Sequence, residues 1–356
     1  MKRALFPIVL IALAVACAKP ASNGETEPEL HKVAEVDITG AISPDDRFLT
    51  YTDWSTGNLA LRDLKTGEDR HLTNKGSWLE SDEFALFSTI SPDSKKVAYA
   101  WFSKDGFYDL RMIGADGSDP GVLYRDEELY PWPRDWSPDG KNVLATFQEH
   151  DGSGSIVLIS VADGSVRVLK TLDWRSPLKM SFSPDGRYIA YDLFPTEEAL
   201  TRNIYLISTD GNLETVLVEH PASDLLLGWT PDDKGILFAS DRNGALDAWA
   251  MQMGNDRPEG EPELVLRDMG PNVVALGFDR TGNYYFGVTE QRADLYTAVL
   301  DPRGNRILTS PKRIGAVGIE TFTDWSPDGQ FLAYITHPGM ALWDLYSWVL
   351  VIRSTE

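Results

Sequence analysis

Trp325-Ser326-Pro327-Asp328-Gly329-Gln330-Phe331-Leu332-Ala333-Tyr334 decides the fold, because the same unit recurs along almost the whole chain. The unit is an aromatic residue or Ile, then Ser-Pro-Asp-Gly or a variant, then a polar residue, then alternating apolar residues. The motif aspartate or its equivalent falls at Asp45, Asp93, Asp139, Asp185, Asp232, Thr281 and Asp328, in steps of 46 to 49 residues. A period this steady marks a repeat architecture rather than chance matches to a short turn.

Each unit reads as four short strands, A to D. In the first, strand A is Gly40 to Ser43, B is Phe48 to Thr52, C is Leu59 to Leu64 and D is Asp69 to Leu72. The A–B turn is explained by its residues. Proline presets φ, aspartate accepts from a following backbone N–H, and glycine tolerates positive φ. Alternating segments such as Val97-Ala98-Tyr99-Ala100-Trp101 fit half-buried strands, and no helical period competes with them. Four-stranded antiparallel units of this length predict an all-β fold, a single seven-bladed β-propeller. Phe278-Asp279-Arg280-Thr281-Gly282 lacks Ser-Pro, so the sixth unit should have a different inner turn.

The units resemble the repeats of TolB-like and tricorn-type β-propellers. Ile204-Tyr205-Leu206-Ile207-Ser208-Thr209-Asp210-Gly211 and Phe238-Ala239-Ser240-Asp241-Arg242-Asn243-Gly244 match their usual strand endings, and the resemblance covers about residues 30–352. It implies a fold and, through TolB, a periplasmic setting with a protein partner. The last unit shows three strands, Phe322 to Ser326, Phe331 to Ile335 and Leu345 to Ile352. The segment Glu29-Leu30-His31-Lys32-Val33 aligns with strand D elsewhere, so the N-terminal strand is expected to close the last blade. A six-bladed or an open, truncated propeller is the alternative. Trp136, Trp229 and Trp325 are expected to pack between blades.

Ahead of the repeats, Met1-Lys2-Arg3 is a basic start and residues 4–16 are an apolar run too short to span a bilayer, the pattern of an export signal. It ends in Ala14-Val15-Ala16-Cys17, which resembles a bacterial lipobox with Ala14 in place of the usual Leu. The domain reading is therefore signal peptide with lipidated Cys17 over 1–17, flexible tether over 18–28, and propeller over 29–356. Cys17 is the only cysteine, so the mature protein has no disulfide. By resemblance to known lipoproteins, Ala18 after the cysteine favours the outer membrane, at its periplasmic face.

Formal charge is −21, from 54 acidic and 33 basic residues. This balance repels phosphate backbones and argues against nucleic acid as a partner. The five histidines are scattered without HxH or HxxxH spacing, no phosphate loop or dinucleotide fingerprint occurs, and no nucleophile elbow is present. No catalytic residue, metal or cofactor is therefore assigned.

What remains is a surface. The A–B and C–D turns share one face and offer little. The D–A and B–C connections share the other and carry aromatic and arginine residues, the types enriched at binding hot spots. The candidate binding residues there are Trp54, Trp78, Phe107, Trp132, Arg134, His150, Trp174 and Arg175. The leading function is a non-enzymatic, lipid-anchored envelope propeller that binds a protein or peptide. A carbohydrate or small-ligand module, and a propeller lyase or hydrolase with its site at the channel mouth, are the alternatives.

Overall fold

The computed structural model describes residues 12–17, 30–35, 40–232, 234–254, 257–270, 273–289, 295–299, 301, 303, 306–310, 312–314, 319–327, 331–337 and 348–353. The chain divides into two compact units, Met1–Val288 and Thr289–Glu356. Among the described residues every regular element is a strand.

In the first unit, β1 (Ala12–Cys17) and β2 (Leu30–Glu35) precede the repeats. The first repeat gives β3 (Phe48–Asp53), β4 (Asn58–Asp63) and β5 (Asp69–His71), with Ile42 bridged to Leu49 on the inner side. Three four-stranded antiparallel sheets follow in sequence order. They are β6 (Phe84–Ile90), β7 (Lys96–Phe102), β8 (Tyr108–Gly114) and β9 (Gly121–Arg125); then β10 (Leu129–Trp136), β11 (Asn142–Glu149), β12 (Gly154–Ser160) and β13 (Val166–Leu172); then β14 (Met180–Phe182), β15 (Tyr188–Leu193), β16 (Asn203–Ser208) and β17 (Glu214–Val218). The fifth sheet is β18 (Asp224–Trp229), β19 (Gly235–Ser240), β20 (Asp247–Gly254) and β21 (Arg257–Leu266). The sixth contains β22 (Val273–Phe278) and β23 (Tyr284–Thr289), joined by β1 and then β2.

Neighbouring sheets bury apolar side chains against each other. Leu59 and Leu61 pack with Ala85 and Val97, and Ala98 and Leu110 with Trp136 and Val143. Leu144 and Ile156 meet Met180 and Phe182, Ile204 meets Leu226, and Leu227 meets Tyr284 and Phe286. The sixth sheet returns to the first: Leu276 and Tyr285 pack with Ile42 and Leu49, and the Arg280 N–H donates to the Pro44 carbonyl at 3.0 Å. Each such buried side chain contributes about 1.5–3 kcal/mol.

The Ser-Pro-Asp-Gly turns are built as their chemistry predicts. In the third sheet the Ser137 hydroxyl donates to Asp139 at 2.7 Å, Asp139 accepts from the Lys141 N–H at 3.0 Å, and the Ser137 hydroxyl accepts from the Asn142 N–H at 2.9 Å. Gly140 has φ 71°, and where the motif lacks glycine, Asp46 and Ser94 take φ 59° and 60°. The sixth turn differs as its sequence requires. Asp279 accepts from the Thr281 and Asn283 N–H groups at 2.8 and 3.0 Å, doing two residues earlier the work of the motif aspartate. Trp136 and Trp229 lie between sheets as expected, donating to the Thr89 and Ser181 carbonyls at 3.2 Å each. The side chain of Trp325 lies outside the described residues.

The N-terminal strand departs from expectation. Leu30–Glu35 pairs with Ala12–Cys17, and the pair extends the sheet of β22 and β23 rather than the last one. The physical reason is edge availability. The side of β23 away from β22 takes β1, whose other side pairs with β2; separately, β24 (Leu295–Thr297) pairs with β25 (Lys312–Ile314).

The inner strands of the first unit carry two local features. Four of them carry a β-bulge, at Phe87, Arg134, Leu227 and Leu276, where one residue is left out of the pairing ladder. In addition, β10 contains Pro131 and Pro133 at alternating positions.

The second unit holds the β24–β25 pair and an antiparallel sheet of β26 (Ile319–Trp325), β27 (Phe331–His337) and β28 (Trp348–Arg353). Those three strands are the ones expected of the last repeat.

Candidate functional site

The D–A and B–C connections of the first three sheets bring aromatic side chains into one belt. Trp54 follows β3, and Trp78 sits in the loop before β6. Their rings stack with centroids 6.4 Å apart and planes 3° from parallel, and the Trp78 indole N–H donates to the Trp54 carbonyl at 2.9 Å. Phe84 touches both, at 5.6 and 6.2 Å, and continues to Phe102 at 5.1 Å. Tyr108 lies 5.1 Å from Phe102, 5.3 Å from Tyr130 and 4.6 Å from Trp132. Tyr130 reaches His150 at 5.1 Å, and Trp132 reaches Phe87 at 5.4 Å. The Trp132 indole N–H is held by the Gln148 side chain at 3.1 Å.

Local structure explains why these rings meet. Two of the connections adjoin a strand anchored near its start by a buried polar group. Asn58, at the start of β4, accepts from the Thr73 hydroxyl at 3.1 Å and the Lys75 N–H at 2.9 Å. Lys75 is thereby held with its ammonium 3.8 Å from the Trp78 ring centroid, a cation–π contact. Burial lowers the Lys75 pKa, against the pull of Asp82, Glu83 and Glu80. Asp109, at the start of β8, is fully buried and binds the Ser103 hydroxyl at 2.8 Å and Arg111 at 2.7 Å, closing the loop that places Phe102 opposite Tyr108. Most rings of the belt are half-buried, and Trp78 is 37% exposed. Burial, with the nearby Tyr130, pushes the Tyr108 hydroxyl up to about 12, so it stays neutral in ordinary buffers. The Trp54 indole N–H is buried and has no hydrogen-bond partner among the described residues.

At its inner end the belt meets charge. The Arg134 guanidinium lies 5.3 Å from the Phe87 ring centroid, and its Nε donates to the Thr146 hydroxyl at 3.2 Å. Arg134, Asp135 and Lys179 are all half-buried. Burial lowers the Arg134 pKa to about 10, with Asp192 opposing and Arg202 adding to the fall. Burial also lowers Lys179, partly offset by Asp135, and raises Asp135, opposed by the Lys179 charge and the Phe182 and Trp136 N–H groups. Lys179 Nζ donates to the Ala275 carbonyl at 3.3 Å, joining the fourth and sixth sheets. Asp192 and Arg202 form a buried pair at 3.1 Å.

Of the residues singled out from sequence, Trp54, Trp78, Trp132, His150 and Arg134 come together here. Phe107 does not join the belt's ring contacts; its neighbour Tyr108 does. Trp174 is 44% exposed beside Gly152 and makes no ring contact with the belt. Arg175 is occupied by Asp173, at 2.7 Å, and by the Phe194 carbonyl, at 2.8 Å. Phe84, Phe87, Phe102, Tyr108 and Tyr130 were not among the residues singled out; Phe84 opens β6, Phe87 is its bulge and Phe102 closes β7, where alternation reads as core. The channel charges Asp135, Lys179, Asp192 and Arg202 were also missed. Their one signal was a charged residue immediately before a buried inner-strand position, as in Arg134-Asp135-Trp136.

The opposite face is less empty than its turns imply. A cleft of about 520 Å³ opens there between the first two sheets, lined by Phe48, Arg70, Lys95, Lys96 and Met112 among others. Among the described residues no cluster of His, Cys, Asp or Glu is arranged to hold a metal ion.

Comparison with known proteins follows this geometry. Residues 103–260 match the TolB beta propeller domain model. An uncharacterized protein of Agrobacterium fabrum is 26% identical over 254 residues, which are 69% of this chain and 83% of that protein. The Tol-Pal system protein TolB of Bordetella pertussis is 29% identical over 153 residues, 42% of this chain and 33% of that protein. Among solved structures, a putative TolB from Agrobacterium tumefaciens superposes with TM-score 0.57 at 16% identity, covering 80% of this chain and 99% of that one. An oligogalacturonate lyase in complex with manganese gives 0.52 at 15% identity, covering 96% of each. At such identities the likeness is one of fold, and that fold carries an enzyme in one case. Over residues 103–260 the chain is similar to the TolB-type β-propeller family.

Proposed function

We propose that the protein is a non-enzymatic β-propeller scaffold of the cell envelope that docks a protein or peptide segment on its aromatic belt. The carrying observation is the run of rings from Trp54 and Trp78 to Trp132 and His150, half-exposed and contiguous across three sheets. Aromatic side chains give large contact area at low entropic cost and concentrate binding energy at interfaces. Stacking of a sugar would need open ring faces; Trp78 has Lys75 over its ring and Trp54 stacked beside it, which favours a protein segment. The return of the sixth sheet onto the first supports a six-bladed ring as the frame that holds the belt.

The site is tested by placing a photo-crosslinking residue at Trp78, at Trp132, and at Lys141 on the opposite face. A protein adduct is expected from the first two positions and not from the third. Trp78→Ala with Trp132→Ala should cut capture from a crosslinker at Tyr130 at least roughly tenfold with the thermal unfolding midpoint little changed. Equal yields from both faces would remove the belt as the site.

Export and lipid anchoring at Cys17 rest on the Met1–Cys17 pattern and are part of the proposal. Cleavage ahead of Cys17 would take away all of β1 but that residue, leaving the ladder position beside β23 to be refilled. The protein is expected in the membrane fraction, with Cys17→Ser moving to the soluble envelope fraction. A Cys17→Ser protein that stays with the membrane overturns the anchor.

A further inference from the structure

The inner end of the belt combines an apolar wall with a cation whose hydrogen-bonding groups are not used up. Arg134 occupies a bulge of β10, outside the ladder, between Pro133 paired with Ala145 and Asp135 paired with Leu144. Its Nε is bound to Thr146, but no carboxylate lies within ion-pair distance of its terminal nitrogens among the described residues. Its neighbours do not neutralise it. Asp192 is committed to Arg202 and to the backbone N–H groups of Leu178, Lys179 and Leu226, at 2.9 to 3.3 Å. Asp135 is committed to the Trp136 and Phe182 N–H groups, both at 2.8 Å. Lys179 adds a second cation nearby. Arg134, Lys179 and Arg202 against Asp135 and Asp192 leave this point of the channel net positive, in a chain of formal charge −21.

The half-buried Arg134 guanidinium keeps terminal N–H groups that no carboxylate takes among the described residues, and an anion would meet them in a partly dehydrated setting. Its planar fork matches a carboxylate. We propose that this point is a carboxylate-binding subsite: the docked segment presents an aromatic or aliphatic side chain to Phe87 and Trp132 and a carboxylate to Arg134, with Lys179 adding attraction at longer range. This rests on the docking role proposed for the belt and names the chemistry of what docks, an apolar residue adjoining a carboxylate. The carboxylate is either that of a chain terminus or that of an acidic side chain.

Three blocked dipeptides separate these sources. N-acetyl-Ala-Phe with a free terminus carries a terminal carboxylate, N-acetyl-Asp-Phe amide carries a side-chain carboxylate, and N-acetyl-Ala-Phe amide carries none. Binding is followed by ¹H–¹⁵N chemical shifts of the whole protein, including the indole N–H signals. At least one acid should bind roughly tenfold more tightly than the neutral peptide, and the stronger acid identifies the source. In Arg134→Gln that preference should vanish; Arg134→Lys, which keeps charge but loses the fork, should retain part of it. Equal binding of all three peptides to the wild type, or a preference that survives Arg134→Gln, overturns the subsite. If the neutral peptide still binds and Trp132→Ala abolishes that binding, the belt stands although the subsite has fallen. If no peptide binds even at tens of millimolar, both fall.

Discussion

Asp192→Ala is expected to lower the free energy of unfolding by about 3–5 kcal/mol, the largest loss from any single polar residue of the first unit. Asp192 closes β15 and is fully buried. It binds Arg202 from the following loop, the Leu178 and Lys179 N–H groups ahead of β14, and the Leu226 N–H in β18 of the next sheet. One carboxylate therefore fixes two connections of its own sheet and ties them to the neighbour. Alanine leaves a buried guanidinium without its carboxylate and three backbone donors without their acceptor. The cost is that of orphaned groups rather than of a lost attraction. The size is checked by urea unfolding of the purified protein. Arg202→Leu alone should cost nearly as much, and the double substitution less than the sum, because either change already breaks the pair. A loss below about 1 kcal/mol for Asp192→Ala would show that water reaches this position and replaces the carboxylate.

Trp136→Ala should cost a comparable 3–5 kcal/mol. The indole is 4% exposed, fills the space between the second and third sheets with Ala98, Leu110 and Val143, and donates to the Thr89 carbonyl across the gap. Truncation opens a cavity that two rigid sheets cannot close. Trp136→Phe keeps most of the volume and loses the hydrogen bond, for about 1–2 kcal/mol. The contrast between the two, read from chemical denaturation at constant slope, separates packing from hydrogen bonding. If both variants lost equally, the indole N–H rather than the volume would be the main contribution.

The repeat was legible because its information is local. Ser-Pro-Asp-Gly encodes a turn within six residues, and its spacing counts the units without any tertiary knowledge. The inter-sheet role of Trp136 and Trp229 followed from the same register, since the residue before each turn must point between neighbours. The place of Leu30–Glu35 was not legible. A short strand reads the same wherever it docks, and the edge it takes beside β1 and β23 is set by tertiary pairing. The site lies between these cases. Trp54, Trp78 and Trp132 were found as aromatics in irregular connections. Phe84 and Phe102 were hidden by strand alternation, and Arg175, a candidate binding residue, is bound by nearby Asp173. The charged group of Arg134, Asp135, Lys179, Asp192 and Arg202 is hard to read in sequence because it converges from two sheets.

Pro131 and Pro133 in β10 bear on how anything can enter the channel. Alternate residues of a strand direct their N–H groups to the same side, and these two have none to offer. Since β11 occupies one side of β10, the side that lacks donors is the one left open. A guest chain arriving there in extended form finds an incomplete ladder to extend. Recognition at this edge keeps main-chain acceptors but no donors at these two positions, so half of a ladder is missing and side chains carry more of the discrimination.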